Sequence, residues 1–373
     1  MSGPRRLKER VRLMELRFRP FSRELELAAQ RRLFVECFPE NIGTPVETVE
    51  HYAWKFGSAP AIPPSYEYGA YLDDELVGYY AALPYRYNYF STTVTAGIVC
   101  DVMTGAKARG QGVFTKLGSY ANDELKKAGV DFSCAFPIRE IGFQGHIKAG
   151  LRILFELPLY ARFLRFDSYF KKKGATYLLP LFRLGVGLQK LLLKSIPLRD
   201  KGIQTSSYSS RAGISSIPGL LDFLGEWQKE LPISLVKDRD FMTWRTGAPG
   251  QEYFVTIVRR EDKIVGYALY RLVVKEDVPC VGILDLSLLN GCHHLSRFLF
   301  REIVRFAETS GAEFIFVMMS KFWADHYRIR RSGFLRTRYR FRYILKKLNL
   351  PEADQRPEAP ENWHLMWIDS DDL

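Results

Sequence analysis

Between Thr104 and Gly112 the chain carries three glycines (Gly105, Gly110, Gly112) and two cations (Lys107, Arg109), with no bulky apolar residue. That mixture suits an anion. Glycines let backbone N–H groups approach closely, and a helix start adds partial positive charge. The flanks supply the positioning elements. Ile98, Val99, Val102 and Met103 read as a strand, and Val113, Phe114, Leu117 and Tyr120 fall on one helical face. The loop lacks the Gly-Lys-Ser/Thr ending of a nucleotide-hydrolysing P-loop. It also lacks Gly-x-Gly-x-x-Gly and the acidic residue that completes a dinucleotide site.

The whole chain has 373 residues, 47% hydrophobic and 14% aromatic, which is comfortable for two folded domains. The net charge of +12 points to anionic partners: a coenzyme, nucleic acid or a membrane surface. No interleaved aromatic-basic motif supports specific nucleic-acid binding. Five scattered cysteines suggest reduced thiols in a cytoplasmic protein, and the histidines show no metal-ligand spacing, so no metal is expected. No signal-peptide pattern is visible, and no apolar run reaches the roughly 20 residues of a bilayer span.

Met1 to Arg12 is basic and reads as a mobile tail, with the first domain starting near residue 14. Ser22 to Phe38 reads as a helix capped by Ser22, with Leu25, Ala28, Leu33, Phe34 and Cys37 on its inner face. A hairpin, Tyr66 to Leu83, precedes the strand–loop–helix unit; Val130 to Phe136 is a further strand, and a short helix closes on Gly150-Leu151. The order then repeats. Trp54-Lys55 is matched by Trp244-Arg245, Val77-Gly78-Tyr79 by Val265-Gly266-Tyr267, Asp101 by Asp285, and Gly150-Leu151 by Gly333-Phe334. Two copies of one α/β unit of about 150 residues follow from this.

Lys107-Ala108-Arg109-Gly110-Gln111-Gly112 resembles the Gln/Arg-x-x-Gly-x-Gly/Ala signature of the GNAT N-acetyltransferase superfamily, with Lys107 departing from its first position. The order of elements in both copies resembles the tandem arrangement of that superfamily, from about residue 14 to 345. The resemblance implies a mixed α/β sheet flanked by helices in two acyl-CoA N-acyltransferase-like domains, 14–168 and 217–350. It implies that acetyl-CoA is the co-substrate. Backbone groups of Val102, Met103 and Thr104 would meet its acetyl and pantetheine arm; Lys107, Arg109, Gly110, Gln111, Gly112, Val113 and Phe114 would hold its pyrophosphate. Many members place a tyrosine four residues before the glycine of the last short helix to protonate the departing thiolate; that position here is His146. Asp101 would serve as a base through water, or in a structural hydrogen bond as Asp285 repeats it. The second copy's loop, Leu286 to His294, has one glycine and no Lys or Arg, so it is expected to shape the cleft rather than bind coenzyme.

The function expected is acetyl transfer from acetyl-CoA to a primary amine, such as an amino sugar or other small molecule. The alternatives are a Fem-type aminoacyltransferase and a non-catalytic acyl-CoA-binding module. Between the copies, residues 169–216 form a basic, leucine-rich linker with Lys171-Lys172-Lys173 at its start. Its helix either lies on an anionic membrane surface through residues 170–201 or buries its leucines against one copy. Residues 351–373 form a tail whose Trp363 and Trp367 are expected to pack back onto the body. Oligomeric state is not encoded in any of these patterns.

Overall fold

The computed structural model describes residues 15–174, 176–194, 200 and 202–371. The basic N-terminal tail expected at residues 1–13 lies outside the described residues. The first copy runs β1 (Leu16–Pro20), α1 (Arg23–Cys37), α2 (Val49–Tyr52), β2 (Tyr66–Leu72), β3 (Glu75–Tyr89), β4 (Thr92–Thr104), α3 (Val113–Lys127), β5 (Phe132–Ala135), α4 (Glu140–Lys148) and β6 (Arg152–Phe163). The linker holds α5 (Asp167–Lys172) and α6 (Leu179–Lys194). The second copy runs β7 (Ile203–Ser209), α7 (Leu220–Lys229), β8 (Ile233–Leu235), α8 (Arg239–Thr246), β9 (Phe254–Arg260), β10 (Lys263–Lys275), β11 (Val278–Leu288), α9 (Ser296–Thr309), β12 (Phe314–Met318), α10 (Lys321–His326) and β13 (Leu335–Lys347). A short β14 (Trp363–His364) follows in the tail.

The repeat read in the sequence is a repeat in space. Val77 and Val265 each sit in a one-residue register slip just before their glycines. Gly105 donates to the Val77 carbonyl at 2.9 Å, and Leu289 donates to that of Val265 at 3.0 Å. Between the copies, Trp54 and Trp244 stack with ring centroids 5.2 Å apart. Each indole Nε1 donates to the other's backbone carbonyl, at 2.8 and 2.9 Å. That reciprocity marks a local two-fold relation, and it satisfies both indole donors inside the interface.

The last strands of the two copies change places. The sheet order is β1-β2-β3-β4-β5-β13-β6-β12-β11-β10-β9-β7. Thus β13, from the second copy, pairs with β5 of the first, and β6 pairs with β12 of the second. One continuous sheet spans both copies, so neither copy completes its sheet without the other's strand.

The α1 helix starts at Ser22, but the Ser22 hydroxyl makes no cap bond; the Glu26 carboxylate accepts from the Ser22 N–H at 2.9 Å. Its buried face is Gln30, Leu33 and Phe34, and Leu25 is 85% exposed. In α6, Leu181, Leu184 and Leu188 stand 66%, 71% and 57% exposed, so the linker helix does not bury those leucines against either copy.

The tail packs against both copies. Trp363, Leu365, Met366, Trp367 and Ile368 are buried, and β14 pairs with β8. Asp369 is also buried, accepting from Tyr87 Oη and the Met366 N–H, both at 2.8 Å. Burial pushes its pKa up to about 7, against the opposing pull of Lys237. A carboxyl with a raised folded-state pKa stabilises the fold fully below about pH 4. That stability is lost as pH rises through about 7, with a slope of at most about 1.4 kcal/mol per pH unit. Urea unfolding of Asp369→Asn between pH 4 and 7 is therefore expected to lack a decline that the wild-type chain shows.

Candidate active site

The parallel strands β4 and β5 pair only from Ala96 to Ile98 against Phe132 to Cys134. Beyond Ile98, β4 continues to Thr104 while β5 stops at Ala135. A notch opens there, at the carboxyl ends of the two strands. In open α/β sheets, such a crevice is where a ligand finds unpaired backbone.

Asp101 stands at the mouth of this notch. The β3–β4 register slips between Tyr79 and Ala81, leaving Asp101 in the left-handed region at φ 47°. A non-glycine residue held there is a strained feature of the kind that clusters at functional sites. Its carboxylate accepts from Lys55 Nζ at 2.9 Å, and Lys55 also donates to Asp371 at 2.8 Å. Lys55 is 5% exposed. Burial works against its charge, but Asp101 and Asp371 outweigh that and hold its pKa well above the ordinary lysine range. Lys55 and Asp371 were not singled out in the sequence as site residues. The Trp54-Lys55 repeat anchor was the available signal for the first.

The loop from Gly105 to Gly112 is partly self-bonded and partly free. Ala108, Arg109 and Gln111 donate to carbonyls within the loop, and the Ala106 N–H donates to the Glu36 carboxylate at 2.6 Å. Among the described residues, the amides of Gly110, Gly112 and the first-turn residues Val113, Phe114 and Thr115 reach no acceptor. Gly110 and Gly112 have φ values of 78° and 73°, a conformation that glycine adopts without strain and that turns these amides outward at the start of α3. Lys107 pairs with Glu75 at 2.8 Å on the surface, and Arg109 Nε donates to the Thr104 carbonyl at 3.2 Å. Gln111 folds its amide onto the Lys107 carbonyl at 2.9 Å. Val102, Met103 and Thr104 have no strand beside them on the β5 side, while Met103 and Thr104 pair with β3 on the other, and Met103 is buried. Five free amides around a helix start fit a diphosphate, and the exposed amides beside them leave room for one.

His146 lies on α4 and packs edge-on against Phe114 of α3, with ring centroids 5.0 Å apart. Gly145 makes this possible, since a Cβ there would lie 2.4 Å from the Phe114 ring. His146 is 6% exposed, and its Nδ1 is buried with no partner among the described residues. Burial pushes its pKa down to about 4, so the ring is neutral at pH 7.

The second copy has the same parts arranged for another end. Its Asp285 is buried against Lys237 Nζ at 2.5 Å and accepts from Tyr267. The Leu286 N–H, one residue on, is taken by Met366 Sδ at 3.1 Å and by Asp285 itself. The Leu286 carbonyl lies 3.0 Å from His364 Nε2. In its loop the Asn290 N–H donates to the Glu230 carboxylate, while Cys292 and Leu295 donate to loop carbonyls. The tail thus occupies the edge of β11 that corresponds to the open edge of β4.

A family model described as an acetyltransferase (GNAT) domain matches residues 21–147. The matched stretch contains the notch, the loop and His146. A comparison with curated proteins gives no match. The fold of the whole chain is similar to solved GNAT proteins. One is a GCN5-related N-acetyltransferase from Anabaena variabilis, at TM-score 0.62 and 13% identity, covering 90% of this chain and 74% of that one. Another is a tandem GNAT protein from the clavulanic acid biosynthesis pathway, at TM-score 0.57 and 13% identity, covering 91% of this chain and 100% of that one. A third is Saccharomyces cerevisiae N-myristoyltransferase with bound myristoyl-CoA, at TM-score 0.56 and 10% identity, covering 88% and 82%. The chain therefore has the fold of tandem GNAT proteins. Among the described residues no helix is long and apolar enough to cross a membrane.

Proposed function

We propose that this chain transfers an acetyl group from acetyl-CoA to a primary amine, with the chemistry confined to the N-terminal copy. The observation that carries this reading is the set of free amides at Gly110, Gly112 and the first turn of α3, together with the open edge of β4, whose counterpart on β11 is taken by Met366 and His364 of the tail. In the reaction the amine nitrogen bonds to the thioester carbonyl carbon, the C–S bond breaks, and a proton passes to the departing sulfur. Val102 to Thr104 would hold the pantetheine arm by their backbone, and the loop would hold the diphosphate. Asp101, through water, would take the proton of the incoming ammonium. His146 would present a hydrogen bond to the sulfur.

Thermal melting with acetyl-CoA tests binding first. Ligand at 100 times its dissociation constant should add about 2.7 kcal/mol to stability. Release of free thiol on a panel of amines then separates an enzyme from a binding module, and an absence of both would overturn the proposal. A neutral His146 has a consequence of its own. The rate–pH profile is expected to pass from pH 6 to 7 without an inflexion from His146, and His146→Ala should cost about tenfold, below the hundredfold or more of a lost general acid. An inflexion near 6.5 that His146→Ala removes would instead make His146 the proton donor.

The exposed stripe of Leu181, Leu184 and Leu188, beside exposed Lys171, Lys172 and Lys173, favours peripheral contact with an anionic bilayer. Sedimentation with phosphatidylglycerol vesicles is expected to capture the protein at low salt. Changing the three leucines to serine should reduce capture several-fold. Equal capture by neutral vesicles would contradict this.

A further inference from the structure

A second charge cluster adjoins Asp101, and the acyl-transfer reading does not use it. Arg245 of α8 follows Trp244 at the junction of the copies and is 2% exposed. One of its nitrogens donates to the Ser370 carbonyl at 3.3 Å, while its Nε is buried without a partner. Arg271 of β10 also has a buried Nε without a partner, and its guanidinium lies 5.6 Å from the Tyr253 ring centroid. Arg31 of α1 lies over the rings of Phe34 and Tyr52, at 4.3 and 5.1 Å. His51 of α2 joins them, half-buried, with its Nδ1 unpartnered. The charges of Lys55, Arg31, Arg245 and Arg271 all bear on this one ring, after the burial that dominates its environment.

Among the described residues, none of the three arginines has a carboxylate within ion-pair distance. The carboxylates of the cluster, Asp101 and Asp371, are both taken by Lys55. The nearby Glu47 carboxylate is turned to the Gly43 amide at 2.6 Å. Burying guanidinium groups without an anion is unfavourable unless something charged completes the site. Arg31, Arg271 and His51 are each partly exposed, so the cluster opens to solvent. Arg31 donates to Gln30 Oε1 at 2.7 Å and to the Glu47 carbonyl at 3.4 Å, so the three guanidiniums meet neutral acceptors only, and the cluster is bipolar, with carboxylates on the β4 side and guanidiniums without a carboxylate partner on the other.

We infer that the acceptor amine carries an anionic group, carboxylate or phosphate, held by Arg31, Arg245 and Arg271 while its amine lies toward Asp101 and Asp371. This rests on the acyltransferase reading for the role of the amine, but not for the anion site. Guanidinium forks recognise both anions in bidentate geometry. The second copy would then supply two of the three arginines, which gives it a part in substrate choice.

The test uses the full chain and two matched pairs of probes: glucosamine 6-phosphate with glucosamine, and alanine with alaninamide. Binding is measured by calorimetry with and without coenzyme A, and thiol release is measured with acetyl-CoA. The anionic member of at least one pair is expected to bind and react with a tenfold or greater advantage; which pair does so separates phosphate from carboxylate. Arg271→Gln should erase that advantage without changing the acetyl-CoA dissociation constant or thermal stability, and Arg31→Gln provides a second variant should the first misfold. Anion binding without acyl transfer would overturn the proposed function and leave the site standing. Transfer to neutral amines, indifferent to both variants, would overturn the site and leave the function standing. Anion binding only after removal of Asp372 and Leu373 would assign the arginines to the chain's own carboxylates, and the inference would fail.

Discussion

Gly110→Asp is expected to weaken acetyl-CoA binding by about 100-fold or more, with a stability loss of only about 1 kcal/mol from the backbone. Two features separate the effects. A Cβ at Gly110 meets nothing within 4 Å, so packing is not disturbed, and aspartate is among the residues that tolerate a φ of 78°. The new carboxylate, however, stands beside free amides that would otherwise face a diphosphate. Repulsion of about 3 kcal/mol at such a distance in a partly screened site corresponds to the stated loss. Gly110→Asn provides the matched control, because it carries the same backbone demand without the charge. It should lose about tenfold or less. Equal losses for Asp and Asn would place the effect in the backbone rather than in an anion site.

The second large effect concerns Lys55. Lys55→Met would leave Asp101 and Asp371 facing each other with no cation between them, their side chains only 15% and 24% exposed. Removing one partner of a buried ionic group typically costs 3–5 kcal/mol, so a destabilisation of about 4 kcal/mol is expected in urea unfolding at pH 7. Adding Asp101→Asn should restore about half of it, since one of the uncompensated charges then disappears. Acyl transfer should fall with both variants. Lys55→Met with unchanged stability would show that the triad is solvated and that Asp101 is not held by it.

The local chemistry was readable from the chain and the long-range pairing was not. Strand, glycine loop and helix at residues 97–127 follow from apolar spacing, and the four repeat anchors follow from identity at matched intervals. The stacked pair Trp54 and Trp244 gives one of those anchors a physical meaning. The exchange of β6 and β13 left no such trace, because a strand's own residues mark it as a strand without naming its neighbour. Leu25 of α1 fitted an inner face by periodicity, yet tertiary packing rotated that face toward Gln30, Leu33 and Phe34. The neutrality of His146 depends on Phe114 and on burial, neither of which its position before Gly150 reveals. Arg245 and Arg271 come from distant segments, and only the fold brings them to His51.

The central claim is that one coenzyme site exists per chain and that it lies at the loop of the first copy. Titration calorimetry with acetyl-CoA on the wild-type chain, Gly110→Asp and Gly291→Asp measures it directly. Gly291 is the matching control, with φ 76° and nothing within 4 Å of an added Cβ. One molecule bound per chain, lost with Gly110→Asp and retained with Gly291→Asp, is the expected result. Two molecules per chain, or loss with Gly291→Asp alone, would contradict it.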